Sequence, residues 1–338
     1  MKKILAVLLV FCLMLPFVAN AEKAKVNKEA KKPKKGNEIK VSAKQFKPGP
    51  EIVKNMVQYK AIRKKQAKVM ATFSFVQQTM PGEQGQPQTA IFPLSQEEHC
   101  VPIISGKLGA LLTFLESQND KGHGDLDYWI RTRSLLAMEG NIAVGELNRI
   151  LEVHGAAMNG LLRASVKYVS GNLAQAMSKY NSGYGDLDFW VAASGNTRDA
   201  LWQAAANIKE IREAIGSPNA ANVVPLVKGQ LEVVNAILRG QGDQGHGDID
   251  YWIRTRTILA TQAHVCVRIL RIILDHYGPQ LQGLLKSAIS NIANNLDEVG
   301  GKYSNGYGDL DYWVGASRFT RDGCHAGSRN LTDILNSI

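Results

Sequence analysis

Four copies of one acidic and aromatic motif carry the side chains of this chain that could do chemistry. Each copy fits G-[HY]-G-D-[LI]-D-[YF]-W, and we term the copies signatures 1 to 4 in chain order. Signatures 1 and 3, the odd signatures, have His at the second position, whereas the even ones have Tyr. The candidate ligand-binding residues are the aspartates, tryptophans and histidines of these motifs: Asp125, Asp127, Trp129, Asp186, Asp188, Trp190, Asp248, Asp250, Trp252, Asp309, Asp311, Trp313, His123 and His246.

Paired carboxylates beside aromatic rings suit three kinds of chemistry. Aromatic faces and carboxylates suit the rings and hydroxyls of a glycan, and four copies would add avidity. Two carboxylates with loop carbonyls can ligate Ca²⁺, which takes six to eight oxygens, and His123 and His246 add possible transition-metal ligands. Carboxylate pairs also act as acid and base in glycoside cleavage.

The repetition favours binding over catalysis. A catalytic carboxylate pair is needed once, whereas this pair occurs four times. The spacing does not fit an EF-hand loop, and it differs from the GGxGxD repeat of calcium-binding β-helices. We therefore expect neither an enzyme nor a cofactor. The alternatives are a glycan-active hydrolase that uses the repeated carboxylates and a Ca-stabilised structural protein.

The same motif has a role in folding. The first Asp of each copy stands where a helix N-cap is expected, and the second falls in the first helical turn, where it meets the positive end of the helix dipole. Each effect contributes about 1 kcal/mol or less. The alternate glycines predict a tight loop with unusual backbone dihedrals, and the aromatic pair predicts the start of a buried face.

The segments between signatures have the periodicity of amphipathic helices. In the third repeat, apolar residues recur at three- and four-residue steps from Ile249 to Leu274, and Gly278-Pro279 predicts the end of that helix. Period-2 alternation is scarce, which indicates an all-α fold. We expect helices at about 102–117, 125–153, 156–179 and 186–215, preceded by one from Glu51 to about Phe73.

The chain matches itself when it is shifted by 123 residues. The twelve residues from Gly122, GHGDLDYWIRTR, match GHGDIDYWIRTR from Gly245 at all but one position. This predicts a tandem duplication of a ~123-residue four-helix unit, at 98–220 and 221–338, with four αα-hairpin repeats in total. Two helical bundles and a short αα-solenoid both fit this pattern.

Two arginines follow each odd signature. Arg131 and Arg254 lie four residues after an Asp, which predicts local ion pairs. Arg133 and Arg256 lie four residues after the Trp, on the apolar side of the helix, where a charge needs a partner or an aromatic face. We expect each of these two to pair with a carboxylate of a neighbouring repeat.

The N-terminal segment has the features of a bacterial secretory signal peptide. Lys2 and Lys3 precede an apolar run, and Ala19-Asn20-Ala21 predicts cleavage after Ala21. No later stretch looks apolar enough to span a bilayer. We therefore expect residues 1–21 to be removed and the mature protein to be periplasmic or secreted and not transmembrane.

Positive charge is concentrated near the N-terminus. Residues 22–68 hold sixteen Lys or Arg against four Glu, whereas residues 69–338 hold 22 basic and 26 acidic residues. The Lys-rich segment 22–50 has few large apolar residues, which predicts a disordered arm that could hold the protein near an anionic surface. Segment 51–97 reads as a helix followed by a linker rich in Pro, Gly and Gln. An acidic body and export argue against a nucleic-acid partner.

Three cysteines remain after the predicted cleavage: Cys100, Cys266 and Cys324. One disulfide is possible in an oxidising compartment, and small apolar core residues are the alternative. Taken together, the sequence predicts an exported helical-repeat binding protein. Its expected partner is a cell-envelope component, either a glycan or another exported protein.

Overall fold

The computed structural model describes residues 46–78, 96–117, 124–181, 183–216, 222–241, 245, 247–304 and 306–338, excluding the side chains of 69–78. The expected signal peptide and almost all of the Lys-rich arm lie outside these residues. The same holds for His123 and His246, so the two histidine predictions are not addressed by the structure.

The described residues are all-helical, which confirms the predicted fold class. No strand occurs in these ranges. The described part of the chain forms nine α-helices: α1 (Pro50–Gln78), α2 (Gln96–Glu116), α3 (Leu126–His154), α4 (Gly160–Ser178), α5 (Leu187–Ile215), α6 (Val223–Arg239), α7 (Ile249–Tyr277), α8 (Gly283–Gly301) and α9 (Leu310–Leu335), with a 3₁₀ turn at Gly278–Gln280.

Local signals set several of the helix boundaries. The side chain of Asn159 accepts a hydrogen bond from the backbone N–H of Leu161 at 2.9 Å, which caps the start of α4. Helix α5 ends at Gly216, whose φ of 82° suits a residue without a Cβ. Gly278 and Pro279 end α7 in the 3₁₀ turn, as the sequence predicts.

The helices pack as two sets of four with like contacts. In the first set α3, α4 and α5 contact one another, and α2 packs on α5 and α3. In the second set α7, α8 and α9 contact one another, and α6 packs on α9 and α7. Helix α1 adds to the first set by packing on α4 and α5. The most extensive helix contact joins α2 to α6 and therefore joins the two sets.

Glycine allows the backbones of α2 and α6 to approach closely. A Cβ on Gly106 of α2 would collide with the carbonyl oxygen of Leu226, and a Cβ on Gly229 of α6 would collide with that of Ile103. The two contacts are reciprocal, because Gly229 stands 123 residues after Gly106. Around the crossing, Leu108, Leu111, Val234 and Ile237 are fully buried, so apolar packing surrounds the glycine contact.

One buried ion cluster ties three helices together beside this crossing. Lys107 of α2 is 2% exposed, and its Nζ lies 2.7 Å from Oε2 of Glu232 on α6 and 3.3 Å from Oε2 of Glu146 on α3. Burial and the nearby Lys107 charge lower the pKa of His154, which ends α3. The lysine charge is thus neutralised inside the protein by one carboxylate from each set.

One described helix is long and apolar enough to cross a membrane by length and composition alone. It is the 32-residue stretch Ile249–Gln280, whose most apolar 18 residues have a mean hydropathy of 1.5. The prediction that no later stretch would reach this level is therefore wrong. Because 56% of those 18 residues are buried within the protein, a core helix explains the same composition.

Replacing Gly106 by Ala should lower thermal stability. The new methyl group would meet the Leu226 carbonyl, which is backbone and cannot rotate away, so we expect a loss of about 1–3 kcal/mol. Thermal unfolding monitored by circular dichroism measures the loss.

The matched control is Gly171→Ala in α4, where a Cβ meets nothing within 4 Å. An alanine there should stabilise the helix by up to about 1 kcal/mol. Equal effects of the two substitutions would show that the α2–α6 crossing does not require glycine.

Candidate functional site

Each signature starts a helix through the same capping geometry. The first aspartates, Asp125, Asp186, Asp248 and Asp309, precede α3, α5, α7 and α9 with φ between −78° and −75°. In every copy Oδ1 accepts a hydrogen bond from the backbone N–H three residues later, at 2.9–3.0 Å. The N-cap prediction is therefore confirmed, and the second aspartate of each copy lies exposed in the first turn.

The signature glycines make room for an aromatic ring. A Cβ on Gly185 would collide with the base of the Phe189 side chain, and Gly124, Gly247 and Gly308 meet the equivalent tyrosines in the same way. None of the described signature glycines has a positive φ, since Gly216 alone does so in the described ranges. The expected unusual dihedrals are therefore wrong, and steric space for the ring explains the glycines instead.

The tryptophans support the helix packing and differ between copies. Trp190 and Trp313 of the even signatures are buried at 9% exposure, whereas Trp129 and Trp252 are half-buried. Each Trp meets the preceding aromatic ring edge to face, with 5.2 Å between the centroids. Such contacts stabilise the helix starts and leave the tryptophans a mainly structural part.

The signatures gather at one end of the helices, which we term the signature end. Ser194 of α5 donates a hydrogen bond to the carbonyl of Trp129 in α3 at 3.1 Å, and Ser317 of α9 does the same to Trp252 in α7. These bonds place signature 2 beside signature 1 and signature 4 beside signature 3. Helices α3 and α5 therefore begin at the same end, and so do α7 and α9.

The two odd signatures face each other across the two sets of helices. The guanidinium carbon of Arg131 lies 3.5 Å from the centroid of the Tyr251 ring, and that of Arg254 lies 3.7 Å from the centroid of Tyr128. Arg131 also donates to the hydroxyl of Thr255, and Arg254 to that of Thr132. The exchange is reciprocal, and each stacked cation draws the opposing tyrosine into a fixed position.

A cleft of about 700 Å³ opens between the starts of α3 and α7. It is lined by seven residues from each helix start, and each residue of one group has its equivalent in the other 123 positions along the chain. The lining residues are Gly124, Asp125, Asp127, Tyr128, Ile130, Arg131 and Ser134, with Gly247, Asp248, Asp250, Tyr251, Ile253, Arg254 and Thr257.

A smaller cavity of about 190 Å³ adjoins this cleft through Arg131 and Ser134, and it is lined further by Leu135, Met138 and Ile258. The cleft itself is lined by polar side chains together with Ile130 and Ile253. Its lining holds four carboxylates and two guanidinium groups, and all four aspartates are exposed. Both guanidinium groups already contact a tyrosine and a threonine, so the carboxylates dominate the groups that face a ligand.

The odd and even signatures are thus used differently. The structure brings Asp125, Asp127, Asp248 and Asp250 into one cleft. The even aspartates are exposed and do not line the cleft: Asp186 and Asp309 cap their helices, and Asp188 and Asp311 lie in the first turn. Among the described residues, no three His, Cys, Asp or Glu side chains converge as the ligands of a metal ion would.

Arg133 and Arg256 do find partners, but not the expected carboxylates. Arg256 donates to the carbonyl of Gly300 at 2.6 Å, and Arg133 donates to Met177 and, at 3.0 Å, to the side-chain oxygen of Asn181. These acceptors lie at the ends of α8 and α4, where carbonyl groups carry partial negative charge. Burial lowers the pKa of both arginines. The carboxylate prediction is wrong because the helix ends supply the acceptors.

The sequence did not predict the contacts of Arg131 with Tyr251 and of Arg254 with Tyr128. Arg131 and Arg254 were expected to pair locally with Asp127 and Asp250, whereas the described contacts cross to the opposite helix. The identical IRTR sequence after both odd signatures was the available signal. It shows that both odd helices carry these arginines, but it does not show that each arginine contacts the opposite helix.

The three described cysteines are free thiols in the interior. Burial raises the pKa of Cys100 and Cys266, and it raises the pKa of Cys324 to about 12. They therefore behave as small core residues in this structure. Comparisons with protein-family models, curated protein sequences and solved structures found no match to this chain.

Replacing Gly185 by Ala should displace the Phe189 ring and weaken the start of α5. Because the collision is at the base of that side chain, we expect a loss of about 1–3 kcal/mol in thermal unfolding. Gly195→Ala in the same helix is the control, since its added Cβ meets only Arg198, at 3.9 Å. A loss confined to Gly195→Ala would contradict the steric explanation.

Replacing Arg256 by Met should leave the buried Gly300 carbonyl without this donor. We expect a loss of about 1–3 kcal/mol in chemical denaturation. The control is Arg271→Met in the same helix, where an exposed ion pair with Asp297 is removed at a cost of about 1 kcal/mol or less. A larger effect at Arg271 would refute the assigned role of Arg256.

Proposed function

We propose that this protein is an exported binding protein and that its ligand, a cell-envelope glycan, binds in the cleft between the two odd signatures. The observation that carries the proposal is the convergence of two matching groups of Asp, Tyr and Arg from α3 and α7. Export rests on the leader-like sequence of residues 1–21. A cell-envelope ligand is the class of partner that such a protein would meet.

The size and shape of the cleft support a small or segmental ligand. Its volume of about 700 Å³ falls inside the range of roughly 300–1,000 Å³ that is usual for ligand pockets. A lining that combines carboxylates with the apolar side chains of Ile130 and Ile253 suits a sugar, whose ring faces are apolar and whose rim carries hydroxyl groups.

The charges indicate which glycans fit best. Oxygens of Asp127 and Asp250 have no hydrogen-bond partner among the described residues and are exposed at the cleft. Carboxylates accept hydrogen bonds from hydroxyl groups and form stronger ones with ammonium groups. Since four carboxylates face two engaged guanidinium groups, the ligand is a glycan with amino groups in preference to an anionic one.

Tyr128 and Tyr251 fix the position of the cleft walls more than they offer a stacking surface to the ligand. One face of each ring is covered by an arginine, because Arg131 stacks on Tyr251 and Arg254 on Tyr128. At most the other face of each ring is left for a ligand. The arginine–tyrosine pairs therefore hold the two walls of the cleft at a set separation, which preorganises the carboxylates.

Replacing Asp127 and Asp250 together by Asn should weaken the binding of glucosamine oligomers. Loss of two charge-assisted hydrogen bonds should reduce affinity by at least about tenfold. Isothermal titration with glucosamine oligomers and with N-acetylglucosamine oligomers of equal length measures both affinity and the preference for amines.

The control is Asp188→Asn with Asp311→Asn, which makes the same change at the same helix position outside the cleft. The proposal fails if the protein binds neither oligomer, or if the control loses as much affinity as the cleft variant. Release of new reducing ends during the titration would instead identify the hydrolase alternative.

A further inference from the structure

Helix α1 is attached to the protein by one half of its length. Ile52, Met56 and Tyr59 are fully buried against α4 and α5. The Tyr59 hydroxyl donates to Oε1 of Glu97 at 2.9 Å, and burial together with this bond raises its pKa to about 12. This half therefore has the buried apolar and polar contacts of a core element.

The direction of α1 follows from its contacts along α5. The backbone N–H of Gly49 donates to Asn207 at 2.7 Å, and Arg63 donates to the carbonyl of Ile215, the last residue of α5, at 3.5 Å. Helix α1 thus runs towards the end of α5 that lies opposite the signature end. Since α5 has 29 residues, the two ends are about 43 Å apart.

The second half of α1 (64–78) continues past the last residue of α5 at that opposite end, and we term it the projecting half. All five residues from Lys64 to Lys68 are exposed, although a helix packed on a surface would bury one or two of them. The helix nevertheless continues to Gln78, so the fifteen residues from Lys64 onwards have a length of about 22 Å.

The projecting half carries concentrated positive charge. Lys64, Lys65 and Lys68 lie within five residues and are exposed, with no acidic residue between Glu51 and Glu83 in the sequence. The sequence of the same helix then becomes apolar, reading VMATFSFV from Val69 to Val76. Lysines followed by phenylalanine and valine on one helix are typical of segments that lie at a membrane interface.

We propose that the projecting half of α1 binds an anionic phospholipid surface, with Lys64, Lys65 and Lys68 contacting the headgroups. The attraction is electrostatic, since Lys64, Lys65 and Lys68 are exposed basic side chains of α1, whereas residues 69–338 hold more acidic than basic residues. This contact holds the signature end, and with it the cleft, away from the membrane. The proposal does not depend on what the cleft binds.

The test compares vesicle binding of the full chain with that of the triple variant Lys64→Gln, Lys65→Gln and Lys68→Gln. Flotation with mixed phosphatidylglycerol and phosphatidylcholine vesicles measures binding, and pure phosphatidylcholine vesicles report the charge-independent background. Each lysine near an anionic surface contributes about fivefold, so the triple variant should bind up to about a hundredfold more weakly.

The matched control removes three exposed lysines from other helices or helix ends by Lys179→Gln, Lys286→Gln and Lys302→Gln. It should keep nearly full vesicle binding. Equal losses of vesicle binding in the two triple variants would show that net charge alone explains the binding, which would overturn the proposal. Undiminished binding by the α1 variant would also overturn it, as would tighter binding to soluble polyphosphate than to the vesicles.

Oligosaccharide titration in solution without vesicles tests the cleft separately. Because neither triple variant changes a residue of the cleft, loss of vesicle binding with intact oligosaccharide affinity is the expected combined outcome. Thermal unfolding confirms that both variants fold, which is expected since every replaced side chain is exposed.

Discussion

The close approach of α2 and α6 is the constraint on which the rest of the arrangement depends. Gly106 and Gly229 each leave space for a carbonyl of the opposing helix, and larger residues would force the two backbones apart. Because α3 follows α2 and α7 follows α6 within short loops, that separation governs how near the odd signatures come. The distance across which Arg131 reaches Tyr251 is therefore set at a place remote from both residues.

Much of the fold follows from short-range signals in the sequence. Aspartate at an N-cap, apolar residues at three- and four-residue steps and a Gly-Pro pair each act over a few residues, so the helices that follow the signatures are predictable to within one or two positions. Helix α2, which has no such signal at its start, begins six residues before the predicted position 102, and α1 ends five residues after Phe73. The role of the signature glycines was not, since the collision that excludes a Cβ at Gly185 involves the rotamer of Phe189, which sequence does not reveal. The cleft could not be predicted from the sequence for a related reason. Its walls come from helices 123 residues apart, and only packing through α2 and α6 brings them together.

Some residues of the signature serve folding, and others serve the proposed ligand binding. All four copies keep the capping aspartate, the space for the ring and the edge-to-face aromatic pair, because every helix start needs them. The odd copies alone add arginines that cross to the opposite set, and they alone line the cleft. Within one motif, residues needed at all four positions are explained by folding, whereas residues specific to two positions indicate the candidate binding site.

The ion cluster of the buried Lys107 makes the two sets of helices chemically different where they meet. Its acceptors are Glu146 from the first set and Glu232 from the second, whereas the residues 123 positions from Lys107 and Glu232 are Gln230 and Gly109. If two copies of the first set paired with each other, two buried ammonium groups would lie near the crossing, and each would keep Glu146 but face a glycine in place of Glu232. Loss of the nearer of its two carboxylates destabilises a buried ammonium group. The cluster therefore discourages self-pairing of like halves between molecules, and it favours closure of each chain upon itself.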